Sequence, residues 1–505
     1  MNYLDDLLNW VTMYRLVLYY LLALLAAAFM LCLFGVLPYS PWTLLGSIVW
    51  VTAVAWVANY LLARYFHVVA NVESVYITAL ILALIITPQA TTENFLFLGW
   101  AAALAMASKY VLSIHRKHLF NPVAVAVAIT AFGSQQSASW WVGTSSLLPI
   151  VVIGGILIVR KVHRADLALS FLGASLLTTA LFGVVGGATV PVLLKHLLTD
   201  SSLFFFACIM LTEPLTTPPT RWLQVVYGAL VGFLFAPQVH VASFYFTPEL
   251  ALLAGNVFSY VVSPKFRLLL TLERVEKIGD NLYDFVFRPD RKLRFQPGQY
   301  LEWTLGVPKP DDRGNRRYFT IASSPTEDTV RMGVKFYEPA SRFKSVLGTM
   351  KPGDTMIASQ LSGDFTLPSD PSQKLALIAG GIGITPFRSM IKNLVDSNQS
   401  RDLKLIYSNR HAEDVAYTEV FNEAQKKLGI PTVYALTDIE KVPAGWPGHV
   451  GAVNEELIRQ ELPDFKERMF YLSGPHAMVV TFEGLLKGMG VPPRQIRCDY
   501  FPGFA

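Results

Sequence analysis

A sharp change in hydropathy near residue 263 divides the chain into two parts that call for different kinds of fold. Up to that point the sequence is a series of apolar blocks, and charged residues become frequent only from Lys265 onward. The chain averages of 52% hydrophobic and 16% charged residues conceal this division. A chain of 505 residues is also too long for a single core. The pattern predicts a helical membrane part followed by a soluble part.

The apolar blocks of the first part are candidate membrane spans. Several are shorter than the ~20 residues that a full crossing needs, and short, proline-interrupted segments are typical of broken helices around an internal site. The acidic start of the chain and the length of the first block favour a retained span over a cleaved signal peptide. The ten blocks lie at 16–37, 42–63, 72–88, 94–113, 119–133, 146–160, 166–187, 201–214, 221–236 and 248–263.

Positive charges alternate between the loops that join these blocks. The loops after the even-numbered blocks carry Lys and Arg repeatedly, whereas those after the odd-numbered blocks carry only Lys195. Cytoplasmic loops are the ones enriched in these residues. The sequence therefore predicts a multi-pass protein of the cell inner (cytoplasmic) membrane, with both termini and the soluble part in the cytoplasm.

The blocks also repeat weakly as five plus five, which predicts two halves of opposite orientation because five is an odd number. The stretch 74–88 is similar to the stretch 201–214, and Asn121 has its counterpart in Asn256. Polar residues inside a membrane are costly and are therefore functional candidates, although Ser, Thr and Asn also cap or join helices there. These candidates are Glu73, Thr78, Asn121, Glu213, Thr216, Thr217 and Asn256.

Four segments of this part resemble a known family. They are residues 74–84, Phe120-Asn121-Pro122, residues 212–218, and Glu249 with Gly255-Asn256. Over about residues 10–264 the chain resembles the Nqr-B protein of the sodium-translocating NADH:quinone reductase and the Rnf-D protein of the Rnf complex. The resemblance implies a ten-helix, transporter-like fold that carries flavin. Those proteins attach FMN to a threonine in a Ser-x-Ala-Thr type motif, which this sequence lacks, so a non-covalent FMN or riboflavin stays open.

The sequence argues against bound metal. Its three cysteines, Cys32, Cys208 and Cys498, lie far apart, so an iron–sulfur cluster or structural zinc is not expected. Two-haem transmembrane reductases need histidine pairs on facing helices. The histidines here fall in loops or at block ends, with His196 ambiguous. No metal site is predicted.

From Leu268 onward, apolar and polar residues alternate with period two, and turn signals follow at 279–281 and at Pro297-Gly298. Short strands at this spacing predict a small antiparallel β-barrel that ends near Gln360. Within it, the stretch 316–325 combines a guanidinium, two aromatic rings and several hydroxyls. A flat ligand that bears phosphates needs such a set, so we interpret the stretch as a flavin site. An alternating strand with an exposed arginine would show the same pattern.

After residue 370 the pattern changes to alternating strands and helices. Leu375–Ala379 is a continuous apolar run typical of a strand buried on both faces. The turn 380–383 follows, with Thr385 as a predicted helix N-cap and Pro386 as the first helical residue. Glycines at such a junction let backbone amides approach a diphosphate, although a glycine-rich turn alone is a weak signal. Further strands are predicted at 403–408, 432–436 and 469–473.

The order of these motifs resembles the ferredoxin–NADP reductase superfamily over about residues 267–505. A barrel, the segment 317–320, the glycine turn, the segments 407–410 and 472–475 and an aromatic residue near the end follow one another as in that family. The resemblance implies FAD in the barrel and NADH or NADPH on the α/β lobe.

The same resemblance implies roles for individual residues. Arg317 would pair with the FAD diphosphate, and Tyr318 or Phe319 would pack on the isoalloxazine. Thr320 would hydrogen-bond near the reactive nitrogen, and Phe504 would cover the flavin until nicotinamide displaces it, so Phe319, Thr320 and Phe504 are the catalytic candidates. The other implied flavin ligands are Val334, Lys335, Phe336 and Ser341. The implied dinucleotide ligands are Gly380, Gly381, Gly383, Thr385 and Pro386, with Ser408 and Arg410 near the adenosine ribose and Gly474 and Pro475 at the nicotinamide.

These patterns predict three domains: a transmembrane domain at 1–264, an FAD-binding β-barrel at 265–368 and an NAD(P)-binding α/β domain at 369–505. The leading hypothesis is a membrane-bound oxidoreductase that passes electrons from NAD(P)H through FAD to an acceptor in or across the lipid bilayer. That acceptor would be a partner redox protein, or a second flavin or a quinone held by membrane residues. The membrane residues are Asn121, Glu213, Thr216 and Asn256.

Two alternatives stay open. One is a redox-coupled ion or small-molecule transporter with a regulatory reductase domain, and the other treats the spans as a simple anchor. The choice between NADH and NADPH is also open, because Arg410 has the chemistry to bind a 2′-phosphate or to stack on adenine. No nucleic-acid partner is expected.

Overall fold

The computed structural model describes residues 8, 11–66, 72–88, 90–114, 117–241, 244–262, 267–307, 311 and 314–501. The chain forms two compact units, Asn2–Phe266 and Arg267–Ala505. The first unit is mainly helical. The second combines a curled antiparallel sheet with a parallel sheet and its helices. The predicted order of a helical part, a barrel-like sheet and an α/β lobe is confirmed at this level.

Helices make up most of the first unit, and each apolar block contains one. A further helix, absent from the prediction, lies between the seventh and eighth blocks. The helices are α1 (Met13–Leu33), α2 (Pro41–Tyr65), α3 (Val72–Ile85), α4 (Thr92–Val111), α5 (Pro122–Gly133), α6 (Leu148–Lys161), α7 (Ala165–Val185), α8 (Val190–Thr199), α9 (Leu203–Phe205, continuing as a π-helix over Phe206–Met210), α10 (Arg221–Phe235) and α11 (Pro248–Val262). Two short hairpins join helices: β1 (Ser113–Ile114) with β2 (Lys117–His118), and β3 (His240–Val241) with β4 (Phe244–Tyr245).

Several of these helices begin where the sequence supplies a capping side chain. Thr12, Ser40, Thr91 and Asn121 each accept a hydrogen bond from a backbone amide of the first turn. Such a bond satisfies an amide that has no partner within its own helix. The starts of α1, α2, α4 and α5 are thus set by local sequence.

Helix length decides which segments can cross a membrane alone. Within the described residues, α1, α2 and α7 are long and apolar enough, and α8 with the segment that follows makes a fourth if this pair, bent by 57°, is one span. Helices α3, α5, α10 and α11 are apolar but shorter. A membrane part is therefore supported, whereas the ten-span count and the inverted repeat stay predictions.

Helices α7 and α10 meet through small residues. A Cβ on Gly228 would lie 2.5 Å from the Leu167 carbonyl oxygen, and one on Gly232 would overlap the Phe171 carbonyl oxygen. The Ser175 hydroxyl donates to the Gly232 carbonyl oxygen at 3.1 Å. Close backbone contact of this kind joins helices in lipid, where burial of apolar surface gives little driving force.

Six strands form the curled sheet of the second unit. They are β5 (Leu268–Gly279), β6 (Leu282–Pro289), β7 (Tyr300–Thr304), β8 (Arg316–Thr320), β9 (Val330–Lys335) and β10 (Thr355–Ser362), and α12 (Arg342–Leu347) lies between the last two. Their order is β8-β7-β10-β5-β6-β9, and every pairing is antiparallel. Just past β8, the Ala322 amide donates to the Arg331 carbonyl oxygen at 2.9 Å. This bond brings the two edge strands together and curls the sheet.

The α/β lobe contains a second six-stranded sheet. Its elements are β11 (Leu375–Gly380), α13 (Thr385–Asp396), β12 (Leu403–Asn409), α14 (Thr418–Leu428), β13 (Thr432–Leu436), β14 (His449–Val450), α15 (Glu455–Glu461), β15 (Met469–Pro475), α16 (His476–Gly488) and β16 (Ile496–Phe501). The strand order is β14-β13-β12-β11-β15-β16, and all neighbours are parallel. Every residue of β11 is buried, as its apolar run predicts.

One local prediction at the glycine turn is wrong by a single position. Thr385 is the first residue of α13 rather than its N-cap, and Pro386 is the second. The reason is that a 3₁₀ turn over Gly381–Ile384 runs directly into the helix, so Ile384 takes the N-cap position. The Thr385 hydroxyl donates to the Ile382 carbonyl oxygen at 3.2 Å.

Candidate functional site

Strand β8 carries the predicted flavin segment and pairs with β7. Arg317 faces Trp303 across this pairing, and Thr320 faces Tyr300. The Arg317 guanidinium donates to the carbonyl oxygens of Gly314 and Arg316 at 3.2 and 2.7 Å. An oxygen of Asp311 lies 3.3 Å from the same guanidinium. The arginine is therefore anchored by the loop before β8, with its side chain still 18% exposed.

The two aromatic rings of β8 point to different surroundings. The Tyr318 ring is 47% exposed, and its hydroxyl donates to Glu302 at 3.0 Å. The Phe319 ring is partly buried and lies 6.1 Å from the Phe343 ring of α12. Thr320 is buried at the end of the strand. The segment thus presents one accessible ring beside a cation, as a flat ligand with a phosphate tail requires.

Strand β9 and the segment that follows it contain the other predicted flavin residues. Val334 is buried, and the Phe336 amide donates to the Asn281 carbonyl oxygen at 2.8 Å. Lys335 donates to Asp414 of the α/β lobe at 2.8 Å. Ser341 caps α12, and its hydroxyl oxygen accepts from the Lys344 amide. Lys335 therefore joins the two lobes of the second unit, a contact that its predicted role did not include.

The glycine turn packs tightly on one side and is open on the other. A Cβ on Gly383 would lie 2.5 Å from the Gly474 Cα, and a Cβ on Gly380 would overlap the sulfur of Met478. A Cβ on Gly381, whose φ is +53°, would meet nothing within 4 Å among the described residues. The amides at the start of a helix lack partners within it and attract anions. An open turn at the start of α13 suits a nucleotide diphosphate.

The strand register brings the remaining nucleotide candidates to the same edge. Ser408 faces Gly380 across β11 and β12, and it is buried. The Arg410 side chain is 76% exposed, with its Nε 4.0 Å from an oxygen of Asp438. Gly474 is buried and Pro475 is exposed at the end of β15. These ends of parallel strands form the edge where α/β sheets bind ligands.

The chain end carries one candidate that the structure does not reach. Phe504 lies outside the described residues. Upstream of it, Asp499 faces Ser473 in the pairing of β15 and β16. Burial raises the pKa of Asp499 to about 6, whereas the neighbouring Cys498 is exposed.

A buried charge network, which the sequence did not suggest, joins the flavin strand to the helix after the glycine turn. Arg388 donates to the two oxygens of Glu327 at 2.7 and 3.0 Å and to the Ala322 carbonyl oxygen at 2.8 Å. The Ser389 hydroxyl donates to the Ser323 carbonyl oxygen at 2.6 Å. Arg388 is 4% exposed. We call Arg388, Ser389 and Glu327 the interlobe clamp.

Electrostatics hold the clamp in its charged form. Burial alone would raise the pKa of Glu327 and lower that of Arg388. Their mutual hydrogen bonds outweigh burial, so the pKa of Glu327 lies below its usual value and that of Arg388 above it. Arg331 extends the network with hydrogen bonds to Asp284 and Glu276 at 2.8 and 2.9 Å. All of these groups lie within the second unit.

The polar candidates of the first unit also meet. The Asn121 side-chain amide donates to Glu213 at 2.9 Å, and the Thr216 hydroxyl donates to the same carboxylate oxygen at 3.2 Å. Asn256 accepts from the Asn121 backbone amide at 2.8 Å and donates to the Tyr227 hydroxyl at 3.0 Å. Four residues predicted as membrane ligands thus form one cluster, and Tyr227 is a fifth member that the sequence did not suggest.

Two other predicted membrane residues, Thr78 and Glu73, have different partners. Thr78 on α3 accepts a hydrogen bond from the Lys109 ammonium at 2.9 Å, and Ser74 accepts two more at 3.0 Å. Glu73 pairs with Arg15 at 3.1 Å instead. Among the described residues, no group of three His, Cys, Asp or Glu side chains could hold a metal ion.

Comparison with known proteins identifies both parts of the chain. Residues 131–263 match the NQR2, RnfD, RnfE family, and residues 377–483 match the oxidoreductase NAD-binding domain. The chain is 26% identical to a Bacillus cereus flavohemoprotein over 248 residues, which cover 47% of this chain and 61% of that protein. It is also 26% identical to a Pseudomonas aeruginosa glycine betaine monooxygenase reductase subunit over 226 residues, 43% of this chain and 61% of that protein. The chain thus spans about three fifths of the length of these relatives.

A solved structure can be aligned with part of the chain. The crystal structure of an Amycolatopsis cytochrome P450 reductase aligns with a TM-score of 0.42 at 23% identity, covering 48% of this chain and 72% of that one.

The chain therefore joins a membrane-family part to a reductase-type nucleotide domain. Residues 131–263 resemble the NQR2, RnfD, RnfE family, and residues 377–483 resemble the oxidoreductase NAD-binding domain. Both resemblances found in the sequence are confirmed.

Proposed function

We propose that this chain is a membrane-bound, flavin-dependent NAD(P)H oxidoreductase that passes electrons from NAD(P)H through FAD to an acceptor in or across the membrane. In this proposal it has the three domains predicted from the sequence, with boundaries near residues 264 and 368. The nucleotide-binding side lies in the cytoplasm, and the chain is in the inner membrane.

One observation carries the proposal: the flavin-type strand and the glycine turn are held directly together. Arg388 lies three residues after Thr385, and its hydrogen bonds reach Ala322 and Glu327, just beyond Thr320. Gly333 of β9 also lies against the turn, since a Cβ there would be 2.7 Å from the Thr385 Cγ2. Flavin and nicotinamide sites on adjacent elements are what hydride transfer requires.

The residues present fit both ligands. Arg317 offers a cationic donor, the exposed Tyr318 ring offers a stacking surface, and the open turn at Gly381 leaves room for a diphosphate. Bound FAD would supply the conversion of a two-electron hydride donor into one-electron steps, which side chains cannot perform. The relatives named flavohemoprotein and monooxygenase reductase subunit favour this chemistry.

For the first unit we propose ten spans in an inverted five-plus-five repeat, with an electron acceptor at the Asn121–Glu213 cluster. Non-covalent FMN, riboflavin or a quinone would suit it, since the cluster offers amide donors beside a carboxylate, within apolar helices. A partner redox protein is the other route for electrons.

A redox-coupled transporter is the second candidate. The direct hydrogen bond between Asn121 and Asn256 supports it, because these residues are counterparts in the proposed repeat and transporter sites lie at repeat interfaces. In liposomes, NAD(P)H oxidation that depends on sodium or protons would favour coupling. Indifference to both ions would count against it.

The proposed function is tested by purifying the full chain in mild detergent, counting flavins per chain, and mixing the protein with NADH or NADPH without oxygen. We expect releasable FAD and loss of the visible absorbance band of oxidised flavin on addition of at least one nucleotide, because reduced flavin lacks that band. A chain without FAD, or an FAD that neither nucleotide bleaches, would contradict the proposal. A second flavin per chain would support the membrane acceptor, and a single releasable FAD would remove the membrane flavin.

A further inference from the structure

Arg388 occupies a position from which it can set the geometry between the two ligand sites. It sits in the first turn of α13, directly after the turn proposed to seat the dinucleotide. Its hydrogen bonds end on the loop that leaves the flavin strand. Because a guanidinium has a rigid, planar fork, its bonds to a carboxylate and a carbonyl oxygen fix orientation as well as distance.

The loop that accepts these hydrogen bonds from Arg388 is itself held by further hydrogen bonds. Glu327 accepts from the Ser324 amide at 2.6 Å as well as from Arg388. The Ser323 hydroxyl accepts from the Arg331 amide at 3.2 Å, while the Ser323 carbonyl oxygen accepts from Ser389. A movement of α13 would therefore break several hydrogen bonds together and would separate the buried Arg388–Glu327 ion pair, at high cost.

Arg388 is also packed from the other side. Its guanidinium lies 5.3 Å from the centre of the Tyr417 ring, a cation–π distance. Tyr417 adopts a φ of +59°, which is rare for a bulky residue, at the start of α14. The Tyr417 hydroxyl lies 2.7 Å from where a Cβ on Gly333 would be. The arginine is thus held between the flavin loop and a ring that abuts β9.

From this arrangement we infer that Arg388 is a positioning residue for hydride transfer: through Glu327 and Ala322 it holds the dinucleotide turn in register with the flavin strand. This inference rests on the proposed function. It assigns no contact between Arg388 and either ligand, since the side chain is buried and directed into the barrel lobe. Its expected effect is on the rate of hydride transfer rather than on nucleotide affinity.

The test compares Arg388→Gln and Arg388→Lys with a matched control in the full chain. Lys404→Gln removes an ion pair of 2.8 Å with Glu461 inside the same lobe and away from the clamp. We expect Arg388→Gln to slow flavin reduction about 10- to 100-fold, since small misplacements of reacting groups cost that much. Nucleotide affinity and flavin content should match the control. The rate of flavin reduction in Arg388→Lys should lie between the rates of the wild type and Arg388→Gln, because lysine keeps the charge but lacks the planar fork.

A second readout does not depend on activity. Hydrogen–deuterium exchange of the flavin-free chain should show faster exchange at residues 320–327 and 381–389 in Arg388→Gln but not in Lys404→Gln. Glu327→Gln should produce the same exchange pattern. The double variant Arg388→Gln with Glu327→Gln should exchange little faster than either single variant, because the two residues act as one unit.

The outcomes separate this inference from the proposed function. If neither nucleotide reduces the wild-type flavin, the proposed function fails, and the exchange pattern still decides whether the clamp holds the two segments. If Arg388→Gln matches Lys404→Gln in reduction rate and exchange, the inference is overturned. It is also overturned if Arg388→Gln loses flavin or unfolds while Arg388→Lys reduces flavin at the wild-type rate, because the role is then purely structural.

Discussion

At the scale of a single side chain, the Arg317 guanidinium already has partners within the protein. Its guanidinium is bound to the carbonyl oxygens of Gly314 and Arg316, and Asp311 balances its charge from 3.3 Å. A bound diphosphate would replace Asp311 as the anionic partner of the guanidinium, or would contact the guanidinium together with Asp311. The reason is that an arginine fork binds phosphate oxygens with charge-assisted hydrogen bonds. The loop then pre-orients the arginine for an anion.

We expect Arg317→Gln to weaken FAD binding about 10- to 100-fold, because hydrogen bonds to charged groups contribute about 1.5–3 kcal/mol. The measurement is a fluorescence titration of the flavin-depleted full chain with FAD. Arg342→Gln is the control, since Arg342 is an exposed cation at the start of α12. Equal affinities for the two variants would remove Arg317 from the flavin site.

At the scale of elements, the glycine turn contains a position where the lack of a side chain lets β15 and α13 approach closely. Gly383 lies so close to the end of β15 that a Cβ would overlap the Ser473 carbonyl oxygen and approach the Gly474 Cα to 2.5 Å. The atoms that this Cβ would meet belong to the backbone, so they cannot move away from it unless β15 or α13 shifts. The close approach of these elements therefore depends on glycine at this position.

We expect Gly383→Ala to destabilise the lobe by about 1–3 kcal/mol, the usual cost of overpacking, and to raise the KM for NAD(P)H. Gly484→Ala is the matched control: Gly484 lies in α16 and a Cβ there meets open space, so alanine should be neutral or slightly stabilising. Melting temperature and steady-state kinetics of both variants check this. A Gly383→Ala protein with wild-type stability and KM would show that the turn tolerates a side chain.

Local signals were enough to predict most elements. The buried strand β11, the helix after the turn and the period-two strands follow from hydrophobic periodicity and turn residues. Helix α8 was missed because Lys195 and His196 interrupt its apolar pattern. The start of α13 was misplaced by one residue because a 3₁₀ turn leaves no signal distinct from that of the following helix.

At the scale of the whole molecule, the sequence does not show which distant segments come into contact unless a motif or a repeat relates them. Arg388 and Glu327 are 61 residues apart, and neither lies in a recognisable motif, so no periodicity pairs them. Asn121 and Asn256 are 135 residues apart, but the five-plus-five repeat predicted from the sequence pairs them as counterparts. Repeats and motifs can therefore indicate a site, whereas the buried ion pairs that align its parts emerge only in three dimensions.

Under the proposed function the two units offer separable readouts, because a water-soluble dye would take electrons from the second unit, whereas an acceptor in the membrane would involve the first unit. Asn256 is suited to this separation. It is 1% exposed, and its side chain accepts from the Asn121 amide and donates to Tyr227. Removing that side chain leaves a buried amide unsatisfied, at a cost of about 1–3 kcal/mol local to the membrane cluster.

We expect Asn256→Ala to leave NAD(P)H-driven reduction of a soluble dye unchanged and to slow electron transfer to an acceptor in the bilayer, measured on the full chain in liposomes. Ser175→Ala is the control: Ser175 is fully buried in the same unit, but its hydroxyl bonds to Gly232 between α7 and α10. Because both variants remove buried hydrogen bonding, general destabilisation should affect them alike. If Asn256→Ala and Ser175→Ala transfer electrons to the bilayer equally well, the Asn121–Asn256 junction is only a helix contact, and electrons leave the reductase unit by another route.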